Sequence, residues 1–396
     1  MWTVAIGRAI SLCGDEAALV ALSLRLQGNG GQPWTVAALF VAGLLPLVVL
    51  AGPVGRFVDR ADSRHLLVTS SLLQAGICLA LAFTTNNLAM LALVVALGCG
   101  EAVNGATWQA LVPSIVGTEG IAAATGILQS AHTAATVAAP ALAGILVGAF
   151  DTRAMLLVDV ATYLAITVTA MTIATRRKVE VSSEPGEMRS GWSIVRADQL
   201  LRSLLALMCT FVVLGASVVV VEVFLIRETL HASAAWYGIA LAVWGVGMLA
   251  GAVAGGRYLR LATSLARVLL IGVVGLSVCM VGFALCRDIA QLIALSVVGG
   301  LANGLVNFAG TTLMTTRSAA EERGRVAAIY SGILSASLVG AYAIGGIAGI
   351  ALTPREIYAI GGALGLAAPV LLGRALLRAV SGDAASQMAA RSNQAA

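Results

Sequence analysis

The chain has 396 residues, of which 59% are hydrophobic and 11% are charged, with a net charge of +5. A soluble domain is roughly 45–50% apolar and about 25% charged, so this composition excludes a water-soluble fold. The basic residues lie in short segments between apolar runs, which favours membrane topology over nucleic-acid binding as their role.

Twelve apolar runs follow one another, each near the ~20 residues that a helix needs to cross ~30 Å of hydrocarbon. They cover residues 3–26, 34–55, 66–84, 88–110, 121–149, 153–174, 203–226, 235–256, 266–286, 290–313, 325–350 and 355–378. The pattern predicts an all-α integral membrane protein with twelve transmembrane helices. Short echoes such as Asn104-Gly105 and Asn303-Gly304, 199 residues apart, predict two pseudo-symmetric six-helix bundles.

Four regions follow from this pattern. We predict an N-terminal bundle (1–175), a cytoplasmic linker (176–202), a C-terminal bundle (203–380) and a disordered cytoplasmic tail (381–396). Within the linker, residues 192–196 (Trp-Ser-Ile-Val-Arg) predict a short interfacial helix with Trp192 and Ile194 toward lipid.

The basic residues predict the orientation. With both termini placed inside, 19 of the 24 Lys and Arg residues fall on the inner side. The positive-inside rule therefore predicts a multi-pass protein of the inner (plasma) membrane with both termini cytoplasmic. We expect a monomer.

A charged turn, residues 55–64 (Gly-Arg-Phe-Val-Asp-Arg-Ala-Asp-Ser-Arg), separates the second and third spans. We interpret Gly55, Asp59, Arg60 and Arg64 as a gating motif: Gly55 lets two helices cross closely, and Asp59 pairs with a helix N-terminus or an arginine in one conformation. The alternative is a cluster that only holds the loop inside. Asp59 favours the gate, because an acid adds nothing to positive-inside anchoring.

This turn, in this topology, resembles the inner turn of the major facilitator superfamily, Gly-x-Leu-Ala-Asp-Arg-x-Gly-Arg-Lys, and the resemblance covers essentially the whole chain. Residues 10–15 (Ile-Ser-Leu-Cys-Gly-Asp), 111–113 (Leu-Val-Pro), 139–144 (Ala-Pro-Ala-Leu-Ala-Gly) and 159–163 (Asp-Val-Ala-Thr-Tyr) resemble its exporter branch of enterobactin-exporter-like and macrolide-efflux-like proton antiporters. The resemblance implies efflux by proton antiport with alternating access, as in multidrug resistance, without a cofactor.

Two departures accompany the resemblance. The span 5 motif of drug–proton antiporters is kept at Pro140 and Gly144, but two of its glycines are Ala139 and Ala143. Many family antiporters also carry a buried Arg in span 4, where this chain has Val94 and, further along the same span, Glu101.

Five carboxylates lie within apolar runs: Asp15, Glu16, Glu101, Asp159 and Glu222. An ionised acid at mid-bilayer costs at least ~2.5–3.5 kcal/mol, so each must face water, pair or take up a proton. We expect proton coupling at Asp15 first and at Glu101 second, with Glu16 pointing about 100° away from Asp15. For Asp159 and Glu222, a snorkelling or helix-capping acid is an equal alternative.

Polar and aromatic residues within the spans are candidates for a substrate cavity: Asn104, Trp108, Gln129, Tyr163, Trp244, Asn303, Asn307 and Tyr330. For each of them, helix–helix hydrogen bonding is an alternative. No basic residue is evident as a buried partner of the acids, so a lipophilic cation or neutral macrolide is favoured over an anionic siderophore. Siderophore export and ion-coupled uptake remain alternatives.

The sequence contains no phosphate-binding Gly-x-x-x-x-Gly-Lys motif, and its six cysteines and three histidines are scattered. We therefore expect no metal, no cofactor, no nucleic-acid partner and no enzyme activity. The expected partners are a small-molecule substrate, protons and the lipid bilayer. A membrane-embedded enzyme or a receptor is the competing class, but the chain lacks the constellation or the long loops that either needs.

Overall fold

The structure is a computed structural model that describes residues 2–172, 191–258, 262–319 and 322–395. Its helices are α1 (Trp2–Gly28), α2 (Pro33–Arg60), α3 (Ser63–Phe83), α4 (Asn87–Ala149), α5 (Thr152–Thr172), α6 (Gly191–Ala197), α7 (Gln199–Phe224), α8 (Ala234–Tyr258), α9 (Ala262–Leu285), α10 (Ile289–Arg317), α11 (Arg323–Ala351) and α12 (Pro354–Ala395). A π-helical turn, Leu225–Thr229, extends α7. Within these ranges the chain forms helices and short connections without any strand.

Ten of the described segments are long and apolar enough to cross a membrane. They match ten of the predicted spans, and the other two correspond to α1 and to the end of α4, Val137–Ala149. The predicted all-α membrane fold is confirmed.

The fourth and fifth spans differ from the prediction at their junction. A break was expected near residues 111–120, but α4 runs through it as a helix of 63 residues. The residues that follow, including Ala122, Ala123 and Ala124, have the highest helix propensity, and Pro113 alone does not end the helix. Since a crossing needs only ~20 residues, α4 holds both apolar spans.

Two further differences concern polar segments. The tail predicted to be disordered continues α12 to Ala395, consistent with its many alanines. A short helix, α6, does form in the predicted place, and Trp192 is exposed. Ile194, however, packs in an apolar core with residues such as Leu204 and Tyr330 instead of facing lipid.

Side-chain caps set several helix starts. Asp62 accepts hydrogen bonds from the backbone N–H groups of the first turn of α3 at 2.9 and 3.3 Å. Asn86, Asp198 and Asp288 cap α4, α7 and α10 in the same way. These caps satisfy backbone N–H groups that have no partner within the helix. The residue before each of these helices therefore determines where the helix begins.

The chain divides into two compact units. Unit 1 contains residues 1–184 and 220–242, and unit 2 contains 185–219 and 243–396. Residues 220–242, the end of α7 and the start of α8, thus pack with the N-terminal helices. The sequence predicted two bundles that are each continuous in the chain, with borders at 175 and 203. That division stays a prediction.

Glycines bring equivalent helices together within each unit. In unit 1, a Cβ atom placed on Gly98 of α4 would lie 2.6 Å from the carbonyl oxygen of Gly43 on α2. In unit 2, a Cβ atom on Gly304 of α10 would lie 1.9 Å from the carbonyl oxygen of Met248 on α8. Lipid gives helices no hydrophobic reason to associate, so close backbone packing at small residues stabilises both units.

Candidate functional site

Unit 1 contains all five predicted carboxylates: Asp15 and Glu16 on α1, Glu101 on α4, Asp159 on α5 and Glu222 on α7. The charges of Glu16 and Asp159 both interact with that of Glu101. Among the described residues, no group of three or more His, Cys, Asp or Glu side chains has a geometry that could hold a metal ion.

Asp15 stands at the end of a chain of buried hydrogen bonds that crosses the unit. The hydroxyl of Tyr163 on α5 donates to an oxygen of Asp15. Tyr163 in turn accepts from Nε2 of Gln74 on α3 at 3.2 Å, and Oε1 of Gln74 accepts from Nδ2 of Asn104 on α4 at 3.1 Å. This chain links α1, α3, α4 and α5, and its members Gln74, Asn104 and Tyr163 are fully buried.

Asp159 lies one turn before Tyr163 on α5 and is also fully buried. Its carboxylate accepts from the thiol of Cys78 at 3.2 Å and from the hydroxyl of Thr162 at 3.0 Å. The alternative of a snorkelling or capping acid does not fit a side chain at this depth with these partners. Its role in proton coupling remains a prediction.

Two glycines make room for these polar side chains. A Cβ atom on Gly14 would lie 2.2 Å from Oδ1 of Asp159, and a Cβ atom on Gly100 would lie 2.7 Å from Cγ of Gln74. Gly14 therefore lets α1 approach α5 at the level of the carboxylates. Gly100 leaves the space on α4 that the glutamine fills.

The predicted cavity residues of unit 1 lie inside it. Asn104 and Tyr163 are fully buried, because each forms a hydrogen bond with Gln74 inside the unit. Trp108 is 4% exposed, because its indole packs against Leu67 and Ile166. They form its core and do not line an open wall, which corrects the prediction. The side chain of Gln129 lies outside the described residues.

In unit 2 the predicted cavity residues fall into separate groups. Trp244 packs on Gly299 and lies near Phe283, with ring centroids 6.3 Å apart. Asn307 is exposed and donates to Oδ1 of Asn303 on the same helix at 2.5 Å. Tyr330 is only 8% exposed and belongs to the apolar core, so it is not a cavity wall within this unit.

The charged turn joins α2 to α3. Nη2 of Arg64 donates to the backbone oxygen of Met171 at the end of α5, at 2.5 Å, and Arg60 is exposed. A Cβ atom on Gly55 would meet no described heavy atom within 4 Å, so the predicted close helix crossing at Gly55 is wrong for this structure. The side chain of Asp59 lies outside the described ones.

The span 5 motif makes a contact that the sequence did not indicate. A Cβ atom on Gly144 would lie 2.7 Å from Cα of Gly238 on α8, and one on Gly238 would lie 2.4 Å from the carbonyl oxygen of Pro140. Both residues belong to unit 1, so the end of α4 and the start of α8 touch backbone to backbone. Nearby in the chain, Nε2 of Gln27 on α1 donates to Glu228 at 3.0 Å.

The remaining predicted acid, Glu222, is half-buried near the end of α7, between the buried Val221 and Val223.

A polar cavity of about 330 Å³ lies at the loop end of unit 1 and is lined by Arg25, Asn29, Thr85, Asp151, Thr152 and Arg153. None of the predicted site residues lines it. Arg25 is held there by the carbonyl oxygens of Leu81 and Thr84.

Comparison with known proteins identifies the family of the chain. The sequence profile described as "Major Facilitator Superfamily" matches residues 4–289 and 205–392. The chain belongs to the Major Facilitator Superfamily. This facilitator is a multi-pass membrane protein, and its family indicates a transporter and not an enzyme.

The relatives of this facilitator agree with that assignment. Macrolide efflux protein A of Streptococcus pyogenes is 25% identical over 214 residues, 52% of this chain and 53% of that protein. Its counterpart in a serotype M6 strain of the same species matches to the same extent. The facilitator thus spans about half the length of the curated relatives it matches.

Two solved structures share the fold over nearly the whole chain. A bacterial homologue of the human lysosomal transporter Spinster, inward-facing and unoccupied, has a TM-score of 0.70 at 14% identity and covers 96% of this chain and 94% of its own. The nucleoside transporter NupG has a TM-score of 0.68 at 14% identity, with 96% and 98% covered. At such identities the likeness shows the fold alone.

The sequence missed Gln74, Cys78, Gly100 and Gly238. Gln74 carried the signal that identified the other candidates, a polar side chain inside an apolar run. The two glycines carried none, because glycine is frequent in this chain and only the partner helix reveals a close approach.

Proposed function

We propose that this facilitator exports a lipophilic small molecule in exchange for protons, with Asp15 as the residue that takes up and releases the coupling proton. The observation that supports this most directly is the hydrogen bond from Tyr163 to Asp15 within unit 1. Asp159, fully buried one turn from Tyr163, is the second group of the same proposed site.

The physical argument starts from the cost of charge in the membrane. An ionised carboxylate there is unfavourable by several kcal/mol unless donors compensate it, and hydrogen bonds to a charged group are worth about 1.5–3 kcal/mol. Tyr163 provides one such donor to Asp15. A carboxyl group balanced between desolvation and hydrogen bonding can change its protonation when the protein opens to the other side.

The contact between Gly144 and Gly238 supports a direction of transport. These glycines hold α4 and α8 together near the loop side that we propose to face outward. A tight contact at this end limits backward leakage of a substrate that has been released outside. The same contact includes Pro140, the other retained residue of the antiporter-like motif.

The substrate class rests on charge and on one relative. Asp15 and Glu101 give unit 1 an acidic interior, which favours a cationic or neutral amphipathic molecule over an anion. The half-length match to a macrolide efflux protein points the same way. We further propose a monomer in the plasma membrane with both termini cytoplasmic, as the distribution of arginines and lysines indicates.

Substrate accumulation in sealed inverted vesicles that contain the purified protein tests this proposal. The panel comprises lipophilic cations, macrolides and catecholate siderophores, each with and without an imposed inside-acid gradient. We expect accumulation of a cation or macrolide that depends on the gradient and is absent from protein-free vesicles. Gradient-dependent accumulation of siderophores alone would replace the substrate class, and no accumulation under any gradient would reject proton-driven export.

A further inference from the structure

The hydrogen-bond chain of unit 1 has a direction. Asn104 donates to Gln74, Gln74 donates to Tyr163, and Tyr163 donates to Asp15. Every link therefore supplies its hydrogen toward the carboxylate. This is the arrangement that stabilises an ionised Asp15, because a carboxylate can only accept.

Each member of the chain can also work in the opposite direction. A protonated Asp15 has an O–H that donates to Tyr163, and the tyrosine hydroxyl then turns to donate to Gln74. Rotating the Gln74 amide by about 180° presents Oε1 to Tyr163 and Nε2 to Asn104. The same rotation at Asn104 presents Oδ1 to Gln74, so all links form again with donors and acceptors exchanged.

The far end of the chain has the atom that this reversal needs. Oδ1 of Asn104 is buried and makes no hydrogen bond with any described residue. Reversal gives that oxygen the Gln74 amide as a partner, and it turns the Asn104 amide N–H₂ to where the oxygen was. Each direction leaves one polar group of the buried Asn104 amide without a partner, at a cost of about 1–3 kcal/mol, so the two directions can be close in free energy.

The space around the chain allows such a rotation without moving a helix. Gly100 faces the Gln74 side chain with no Cβ atom, and the amide plane can turn about its last torsion. Trp108 follows Asn104 by one turn of α4, and its Nε1 is likewise buried without a described hydrogen-bond partner. Asn104 and Trp108 therefore share a face of α4 on which the reversal exchanges an acceptor for a donor.

We propose that Gln74 and Tyr163 transmit the protonation state of Asp15 to Asn104 by reversing the direction of this hydrogen-bond chain. Gln74, Tyr163 and Asn104 are positioning residues, and no proton travels along them. Asp15 gains or loses one proton from water, and every other hydrogen stays on its own atom. The inference deepens the proposed function, because it makes proton uptake change the polar face of α4.

Other titratable groups face Asp15 and are part of the test. Tyr163 on α5 and Cys78 on α3 interact with Asp15, and Asp159 on α5 and Glu101 on α4 interact with Tyr163. Of these, Tyr163 is the link of the chain that donates to Asp15. A variant at Gln74 leaves all of these groups in place, so its effect on Asp15 reports the chain itself.

The experiment is an infrared pH titration of the purified full-length protein, with the carboxyl band of Asp15 assigned by its loss in Asp15→Asn. Gln74→Met keeps the length of the side chain and removes its hydrogen bonds to Tyr163 and Asn104. We expect the carboxylate band of Asp15 to appear about one pH unit more alkaline than in the natural protein, although Gln74 does not touch Asp15. Tyr163→Phe shifts the midpoint at least as far, and adding Gln74→Met to it changes nothing further.

Two comparisons separate this effect from a general loss of structure. Gln109→Met changes an exposed glutamine on α4 and is expected to leave the midpoint unchanged. Asn104→Leu cuts the chain at its far end and should shift the midpoint in the same direction as Gln74→Met. An unshifted midpoint in Gln74→Met, or additive shifts with Tyr163→Phe, would overturn the inference. The titration needs no substrate, so its result is independent of whether proton-driven export is found.

Discussion

The hydroxyl of Tyr163 on α5 donates a hydrogen bond to Asp15 on α1, 148 positions away in the sequence. This contact joins the first and sixth predicted spans in the interior of unit 1. It gives an acid in an apolar helix a specific hydrogen-bond donor. A side chain that only snorkels toward the membrane surface has no such partner. The predictions below follow from this contact and from the close packing around it.

Asp15→Asn tests the proposed coupling residue. The amide keeps the shape and can still accept from Tyr163, but it cannot exchange a proton. We expect gradient-driven accumulation in inverted vesicles to fall to the level of protein-free vesicles, while equilibrium binding of the substrate stays measurable. Glu16→Gln is the matched control, since Glu16 lies next in the chain but points about 100° away. Normal accumulation by Asp15→Asn would remove Asp15 from the coupling role.

Gly238→Ala and Gly144→Ala test the contact between α4 and α8. Each added methyl group would meet backbone atoms of the other helix within 2.4–2.7 Å, and such overpacking typically costs about 1–3 kcal/mol. We expect both variants to lower the thermal denaturation midpoint and to increase leakage of preloaded substrate from proteoliposomes.

Gly148→Ala is the control for this pair. It lies one turn beyond Gly144 on α4, and a Cβ atom there would be 3.8 Å from Ala235, an ordinary contact distance. We expect stability and leakage close to those of the natural protein. Equal leakage in all three variants would show that helix propensity, and not the glycine contact, determines the outer closure.

Asp59→Ala and Asp62→Ala separate the two acids of the charged turn. Asp62 caps α3, so its loss should lower stability by about 0.5–2 kcal/mol with little effect on turnover once the protein is folded. Asp59→Ala should slow turnover with little change in apparent affinity, as expected for a gate. A loss of affinity alone in Asp59→Ala would contradict the gating role.

Gly55→Ala distinguishes the two interpretations of that turn further. The position is open, so alanine should be tolerated and should favour the helix by roughly 0.5–1 kcal/mol. If no other helix approaches Gly55 during the transport cycle, we expect transport rates near those of the natural protein. A strong loss of transport with normal stability would mean that another helix approaches Gly55 in a second conformation.

The sequence predicted features that depend on one helix at a time. Apolar run length identified ten spans to within a few residues but not the continuous helix that joins the fourth and fifth. Polar residues inside the apolar runs identified Asp15, Tyr163 and Asn104. It did not predict which of them meet, since Asn104 and Trp108 were expected on a cavity wall and lie in the core. Gln74 and Gly238 were missed because their importance arises only from the facing helix.

Gly14→Ala tests the packing that brings α1 close to Asp159 on α5. A Cβ atom there would lie 2.2 Å from Oδ1 of Asp159, so α1 must shift or the carboxylate must leave Cys78 and Thr162. We expect a loss of stability of about 1–3 kcal/mol, measured as a lower midpoint of thermal denaturation. Gly76→Ala on α3, where nothing lies within 4 Å, should be neutral or stabilising. If the two variants denature alike, the close approach of α1 to Asp159 does not contribute to stability.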